Sequence, residues 1–494
     1  MKKKLLLILL SAIMAFTMMP LAAFADDAKK LDFTYTVSYT WKEFSDSCYY
    51  TDSYFDRSAK NFNLSLASMS FALATSAFKS HQELQYANVK DLMLKIGIPE
   101  NKIKWNNDFE TLGRRDNSYG VIVGSKPMDD CTLVIVSGRG SGYESEWASN
   151  FKLGKVGDHA GFNEAKKIAM NFLKQYIQDE GITGKVKFWV TGYSRSAAAS
   201  NLIAAALDRK ELSRNLTYSN RDVFCYTFES PACAAKTSLP KLSLYNNIFN
   251  IVNPNDGVVY FAPSTLGFTR YGIDKKLPVS GSVMNEMIDQ YNNLPENQSV
   301  YAEEYMINDF AMQRFVLDKD LGYMKPNVFN RETQSSFVSR FVPAVGKEVF
   351  KNRCFYTNNY QDVVMDIFAY VENYSQGTDN SFESYLQNEI LRNAEILKKL
   401  FATDETKALK KIAAILNNTF KYVGGNYEEV KYTSKEVKLL AGVLKYGLPH
   451  INDLMSVIAN IDTLRQGHYP QIIFSFLKMW DKNYGGTGIA HFSK

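Results

Sequence analysis

The stretch that most constrains this chain is Gly192-Tyr193-Ser194-Arg195-Ser196. An apolar run, Val186-Lys187-Phe188-Trp189-Val190, precedes it, and the small residues Ala197-Ala198-Ala199-Ser200 follow. That order reads as a strand, a sharp turn and a helix that must pack close to the turn. Such a turn lifts one hydroxyl, here that of Ser194, above the edge of a sheet. Any fold for the chain must therefore contain a strand that feeds directly into a closely packed helix.

The surrounding pattern suits that demand. From about residue 60 to 275, helical and strand periodicities alternate, which argues for an α/β sheet. Leu66, Met69, Leu73 and Ala77 mark one helix face, and Val89, Leu92, Met93 and Ile96 another. Phe162, Ala165, Ile168, Ala169, Phe172, Tyr176 and Ile177 mark a long third helix that stops before Gly181. Thr132–Val136, Val223–Phe228 and Ile248–Val252 are continuous apolar runs of the buried-strand type. Parallel strands joined by helices bind ligands at their C-terminal ends, where Ser194 is expected.

Outside that block the sequence predicts three further regions. Lys2, Lys3 and Lys4 lead into an apolar segment, and Ala23-Phe24-Ala25 offers a small-x-small cleavage site, so residues 1–25 are expected to be a signal peptide removed on export. Residues 26–277 would hold an N-terminal extension and the α/β core. Residues 278–445 are polar, rich in tyrosine and asparagine and mostly helical in period, with stripes at Leu386, Ile390, Ala394, Leu397 and at Leu409, Ile412, Ala413, Leu416. They read as a helical insertion or cap. Residues 446–494 return to apolar helices that would complete the core.

Charge and cysteine content narrow the function. The formal net charge is +5, and loss of three signal lysines would lower it further, which argues against nucleic-acid binding. The five cysteines, Cys48, Cys131, Cys225, Cys233 and Cys354, have no metal-type spacing. Export would permit a disulfide, but the sequence selects no pair. No metal and no organic cofactor is expected.

A serine hydroxyl becomes a useful nucleophile only with a base, a carboxylate to hold the base, and donors for the oxyanion. The carboxylate candidate is Asp256, in Asn253-Pro254-Asn255-Asp256-Gly257 directly after the strand ending at Val252. The chain has five histidines: His81, His159, His450, His468 and His491. The order serine, acid, histidine of α/β-hydrolases leaves His450, His468 and His491. His468 is favoured because Pro470 suits the first turn of a following helix, which Ile473, Phe476, Leu477 and Trp480 would bury. Oxyanion donors would come from the residue after the nucleophile, Arg195, and from the glycine-rich turn Ser137-Gly138-Arg139-Gly140-Ser141-Gly142.

Five pieces in this order resemble the class 3 (fungal-type) lipase family of α/β-hydrolases. Arg139-Gly140-Ser141 with Trp147 resembles its RG(S/T)…W segment, and His159-Ala160-Gly161-Phe162 its HxGF segment, whose histidine is not catalytic. Gly192–Ser196 falls where the family has GHSLGG, and Tyr226-Thr227-Phe228-Glu229-Ser230-Pro231 resembles TFGxP. Asn253–Val259 followed by Pro263 is similar to NxxDxV…P. The resemblance covers about residues 130–265. It implies an α/β-hydrolase-like, mostly parallel sheet flanked by helices, with Ser194 as nucleophile, Asp256 as acid, His468 as base, and Ser141 with Arg195 as oxyanion hole. It further implies a carboxylic ester hydrolase acting on an ester or lipid-like substrate, with transient contact with a lipid surface, and the signal pattern of residues 1–25 would make that enzyme a secreted one. Three departures stand out. Ser196 and Glu229 replace glycines, and Arg195 replaces an apolar residue and would place a charge beside the site. These departures keep two other readings open: an exported binding protein on a hydrolase fold, and an amide or thioester hydrolase using the same residues.

Overall fold

The structure is a computed structural model that describes residues 28–36, 43–77, 85–110, 118–140, 149–150, 152–154, 156–212, 215–236, 239–253, 256, 258–260, 262, 267–277, 344, 382–423, 429–450, 468, 470, 473, 474 and 477. The expected signal peptide, most of the expected insertion before residue 382, and the glycine-rich tail lie outside these residues. An N-terminal hairpin of β1 (Lys29–Thr36) and β2 (Glu43–Tyr50) comes first, then α1 (Leu64–Thr75), α2 (Gln85–Lys95) and β3 (Ile103–Trp105). β4 (Val121–Pro127), β5 (Thr132–Gly138), α3 (Ala160–Asp179), β6 (Gly184–Tyr193) and α4 (Arg195–Asp208) follow. Next are β7 (Leu216–Thr217), β8 (Val223–Phe228), β9 (Ala234–Ala235), β10 (Ile248–Val252), β11 (Phe268–Thr269) and β12 (Ile273–Lys276).

The main sheet runs β12-β10-β8-β6-β5-β4-β3, with β7 also pairing β6. β5, β6, β8, β10 and β12 are parallel, while β4 lies antiparallel to β5 and to β3. The sheet is thus mostly parallel, as the alternating pattern and the resemblance imply, and carries an antiparallel flank that they do not announce. Its central strands are buried on both faces, which is why they read as continuous apolar runs. Alternate residues serve opposite faces. Trp189, Ile135, Phe228 and Phe249 pack with α1, α2 and the hairpin, whereas Phe188, Val190, Val134 and Val136 pack with α3 and α4.

The N-terminal extension is part of this core. Leu31, Phe33 and Tyr35 of β1 and Cys48 and Tyr50 of β2 are buried inward at a period of two. Trp189 Nε1 donates to Ser70 Oγ at 2.7 Å and Thr191 Oγ1 donates to the Ser70 carbonyl at 2.9 Å, which pins α1 across β6. Phe71 of α1 packs against Tyr193, Phe228 and Phe474, and Phe33 meets Phe474 edge-on at 5.3 Å. Residues from both ends of the chain therefore meet beneath the end of β6.

Three further helices, α5 (Phe382–Thr403), α6 (Glu405–Val423) and α7 (Lys435–Gly447), share their own core. Ile390, Ala394 and Leu397 of the first stripe and Ile412, Ala413 and Leu416 of the second are buried in it. Among the described residues no helix is long and apolar enough to cross a membrane, and no group of His, Cys, Asp and Glu could hold a metal ion. Cys48, Cys131, Cys225 and Cys233 are free thiols; Cys354 lies outside the described residues.

Candidate active site

Ser194 occupies the single residue between β6 and α4, with φ 58° and ψ −127°. A residue with a side chain rarely adopts positive φ, and such strain persists only where the surroundings enforce it. Two contacts enforce it here. Ser194 N–H donates to the Phe228 carbonyl at 2.9 Å, and the Ala198 N–H donates to the Ser194 carbonyl at 3.2 Å. Every residue of α4 is buried, and its alanines let the helix lie close under the turn.

Ser196 stands where the resembled family has glycine, and the structure shows how its side chain fits. Its Oγ and the Tyr119 hydroxyl are 2.8 Å apart, both fully buried. The space comes from glycines on the two adjacent strands. A Cβ on Gly192 would stand 2.5 Å from the Ser196 carbonyl oxygen, and one on Gly138 would stand 2.5 Å from Ser196 Oγ and overlap the Tyr119 hydroxyl. The glycine missing from the helix is thus balanced by glycines facing it.

Asp256, fully buried after β10, accepts the Val258 N–H on Oδ1 at 2.8 Å. Its Oδ2 accepts from His468 Nδ1 at 2.6 Å, and His468 Nε2 lies 2.9 Å from Ser194 Oγ. With Nδ1 donating to the carboxylate, Nε2 is left as acceptor for the serine proton. Both distances fall within the reach that proton transfer needs. Ser194 is 8 % exposed and the His468 side chain 16 %, so the group is largely buried but reaches the surface.

His468 is fixed from two sides. The Tyr193 hydroxyl, on the residue before the serine, donates to the His468 carbonyl at 2.6 Å, and the two rings lie 5.4 Å apart. Burial, then the neighbouring carboxyl groups of Glu229 and Asp256, hold the Tyr193 phenol well above its ordinary titration range, so it remains a donor. Beyond His468, Ile473, Phe474 and Leu477 are buried in the core that contains α1; Phe476 and Trp480 lie outside the described residues.

The other candidates fall elsewhere. His159 caps α3: its Nδ1 accepts the Phe162 N–H at 3.4 Å, its Nε2 lies 3.0 Å from the Asn150 carbonyl, and its ring stacks on Phe162. His450 ends the short turn Leu448–His450 after α7. His81, His491 and Ser141 lie outside the described residues, as does Trp147. Arg195 supplies the first N–H of α4, at the positive end of that helix. Its guanidinium is buried. It turns inward, with Nε donating to Ser149 Oγ at 2.9 Å and the cation 5.6 Å from the centre of the Tyr119 ring.

Glu229 and Tyr193 also belong to the site, although their residue types announce no role there. Glu229 is fully buried at the end of β8 with φ 50°. That left-handed backbone accounts for the glycine of the resembled family at this position. The signal that points to it is an acid in place of a glycine, in a segment otherwise wholly apolar or small.

An α/β-hydrolase-type sheet with a serine, a histidine and an aspartate joined in series at the strand ends defines the class of protein. Residues 135–265, the segment from β5 through Ser194 and Asp256, match the model of the lipase (class 3) family. No curated protein matches the chain. Among solved structures, a triacylglycerol lipase described as having a serine protease triad as its catalytic centre shares 20% identity, over 33% of this chain and 62% of that one, with a TM-score of 0.27. A deletion mutant of the Rhizomucor miehei lipase in complex with its propeptide shares 17% over 43% and 66%, with a TM-score of 0.28. A mono- and diacylglycerol lipase from Aspergillus oryzae shares 15% over 45% and 82%, with a TM-score of 0.27. The chain thus spans less than two thirds of the first of these.

Proposed function

We propose that this protein is an exported serine hydrolase of carboxylic esters, with Ser194 as nucleophile, His468 as general base and Asp256 as the carboxylate that orients it. The observation that carries this reading is the unbroken series from Asp256 Oδ2 through His468 to Ser194 Oγ, at 2.6 and 2.9 Å. As Ser194 Oγ attacks an acyl carbonyl, His468 Nε2 takes its proton, and Asp256 balances the imidazolium. The tetrahedral oxyanion is held by the Arg195 N–H at the positive end of α4 and, on the sequence reading, by Ser141. Collapse of the intermediate expels the alcohol, which takes its proton from His468. Water, deprotonated by the same imidazole, then cleaves the acyl-enzyme. Export is proposed from the basic and apolar pattern of residues 1–25. Lipid or ester substrates are proposed from the family match.

The test is hydrolysis of a short soluble ester by wild type and Ser194→Ala. Turnover should fall by several orders of magnitude in the variant. Equal turnover would remove the assignment. Activity on amides or thioesters but not esters would move the protein to a different substrate class while leaving the three residues in place.

A further inference from the structure

Glu229 places a second carboxyl group against Asp256 in a region sealed from water. Both side chains are fully buried. Glu229 N–H donates to the Ile251 carbonyl at 3.0 Å, and the Glu229 carboxyl accepts the Asn253 N–H at 3.1 and 3.0 Å on its two oxygens. The neighbouring carboxyl of Asp256 joins burial in opposing ionisation of Glu229. The Asn253 carbonyl in turn accepts the Asp256 N–H at 3.0 Å, so the acid loop is closed around this pair. An acidic side chain at φ 50° is a strained choice, and the contacts around it are what hold it there.

Two neighbouring carboxyl groups, both fully buried, strongly oppose each other's ionisation, so the pair holds a proton. Which oxygen carries it follows from the other partners. Asp256 already accepts from His468 on Oδ2 and from Val258 N–H on Oδ1, so each of its oxygens serves as an acceptor. Glu229 has the single N–H of Asn253. Arg270, the cation facing the pair, is committed elsewhere: Nε donates to the Ser230 carbonyl and Nη2 to the Val259 carbonyl, each at 2.6 Å, and Nη1 lies 3.3 Å from Asp274. Tyr193 faces Glu229 as a neutral phenol. Burial first, and then the charge and hydrogen bond of Asp256, push the Glu229 carboxyl well above the usual carboxylate range.

We propose that Glu229 is a positioning residue for the Ser194–His468–Asp256 group: as a neutral carboxylic acid it donates a hydrogen bond to Asp256 and fixes the carboxylate that orients His468. This rests on the triad reading above. The third donor spreads the negative charge of Asp256 over one more hydrogen bond, so the proton on His468 Nδ1 stays on the imidazole during turnover. It also holds the carboxylate against rotation.

The test compares the parent protein with Glu229→Gln and Glu229→Met, all three carrying Asp208→Asn so that the other carboxyl raised by burial gives no band, at pH 8 by infrared spectroscopy and by steady-state ester hydrolysis. The parent should show the carbonyl stretch of a protonated carboxylic acid, and this band should vanish in Glu229→Gln. Glutamine keeps an acceptor for Asn253 and a donor for Asp256, so its kcat should remain close to that of the parent. Methionine keeps the volume but neither bond. Its kcat should fall about tenfold or more with KM little changed, as expected when a hydrogen bond to a charged group is lost. A band that survives in Glu229→Gln, a Gln variant as slow as the Met variant, or a Met variant as fast as the parent overturns the proposal. If the Met variant does not fold, the band and the Gln turnover still decide. Hydrolysis that survives Ser194→Ala would sink the triad reading instead, and would leave the infrared result untouched.

Discussion

Replacing Tyr193 by phenylalanine removes one oxygen and leaves the ring contacts to Phe71 and His468 in place. That oxygen donates to the His468 carbonyl at 2.6 Å, and so ties the backbone of the base to the strand bearing the nucleophile. A neutral hydrogen bond of this kind contributes about 0.5–1.5 kcal/mol net. If that energy goes into holding His468 within reach of Ser194, the expected fall in kcat is about two- to twelve-fold. KM for a small ester should stay unchanged, because the Tyr193 side chain is buried beneath the turn and touches no substrate. The assay is steady-state hydrolysis of a soluble ester by Tyr193→Phe, with a thermal melt alongside. An unchanged kcat with a lowered melting temperature would show that the bond serves only the fold. A fall of a thousandfold or more would show that the hydroxyl acts on the reacting atoms, and either result would refute the reasoning.

Two further outcomes follow from the same structure. Ser196→Ala should destabilise the fold by about 0.5–1.5 kcal/mol through loss of its bond to Tyr119; denaturant melts showing no change would contradict the account of how the turn accommodates this residue. Burial pushes the Asp208 carboxyl up to about 8, against the opposing pull of the Asn247 amide and of Lys210, Arg209 and Lys60. The folded state therefore keeps a proton that the unfolded chain, titrating near 3.8, gives up, and stability falls as pH rises from about 4 to about 8. Asp208→Asn should raise the melting temperature more at pH 8 than at pH 5; an equal effect at both would refute the assignment.

Much of this architecture can be read in the residues, because the central strands and helices obey simple burial rules. The runs at 132–136, 186–190, 223–228 and 248–252 are mostly apolar since both sheet faces are covered, and the small residues after Ser194 announce a close helix. The hairpin β1–β2 is harder to see. Its alternation is confined to Leu31, Phe33 and Tyr35 on one strand and Cys48 and Tyr50 on the other, amid polar residues. The antiparallel flank β3–β4 escapes for a different reason, as Ile103–Trp105 is too short to carry a period. Ser194, Asp256 and His468 stand out because each sits at an element boundary with turn residues beside it. Tyr193 does not, because a tyrosine at a strand end looks like core. Glu229 shows in the sequence only as a departure from glycine. Its partnership with Asp256, far along the chain, appears only when β8 and β10 pair.

The most direct measurement is covalent labelling with a fluorophosphonate, followed by intact-mass and peptide mapping. The account predicts one adduct, on Ser194, formed at a rate that drops sharply in His468→Ala and absent from Ser194→Ala. A folded wild-type protein that takes no label, or one labelled equally well without His468, would contradict the claim that this imidazole makes this hydroxyl reactive.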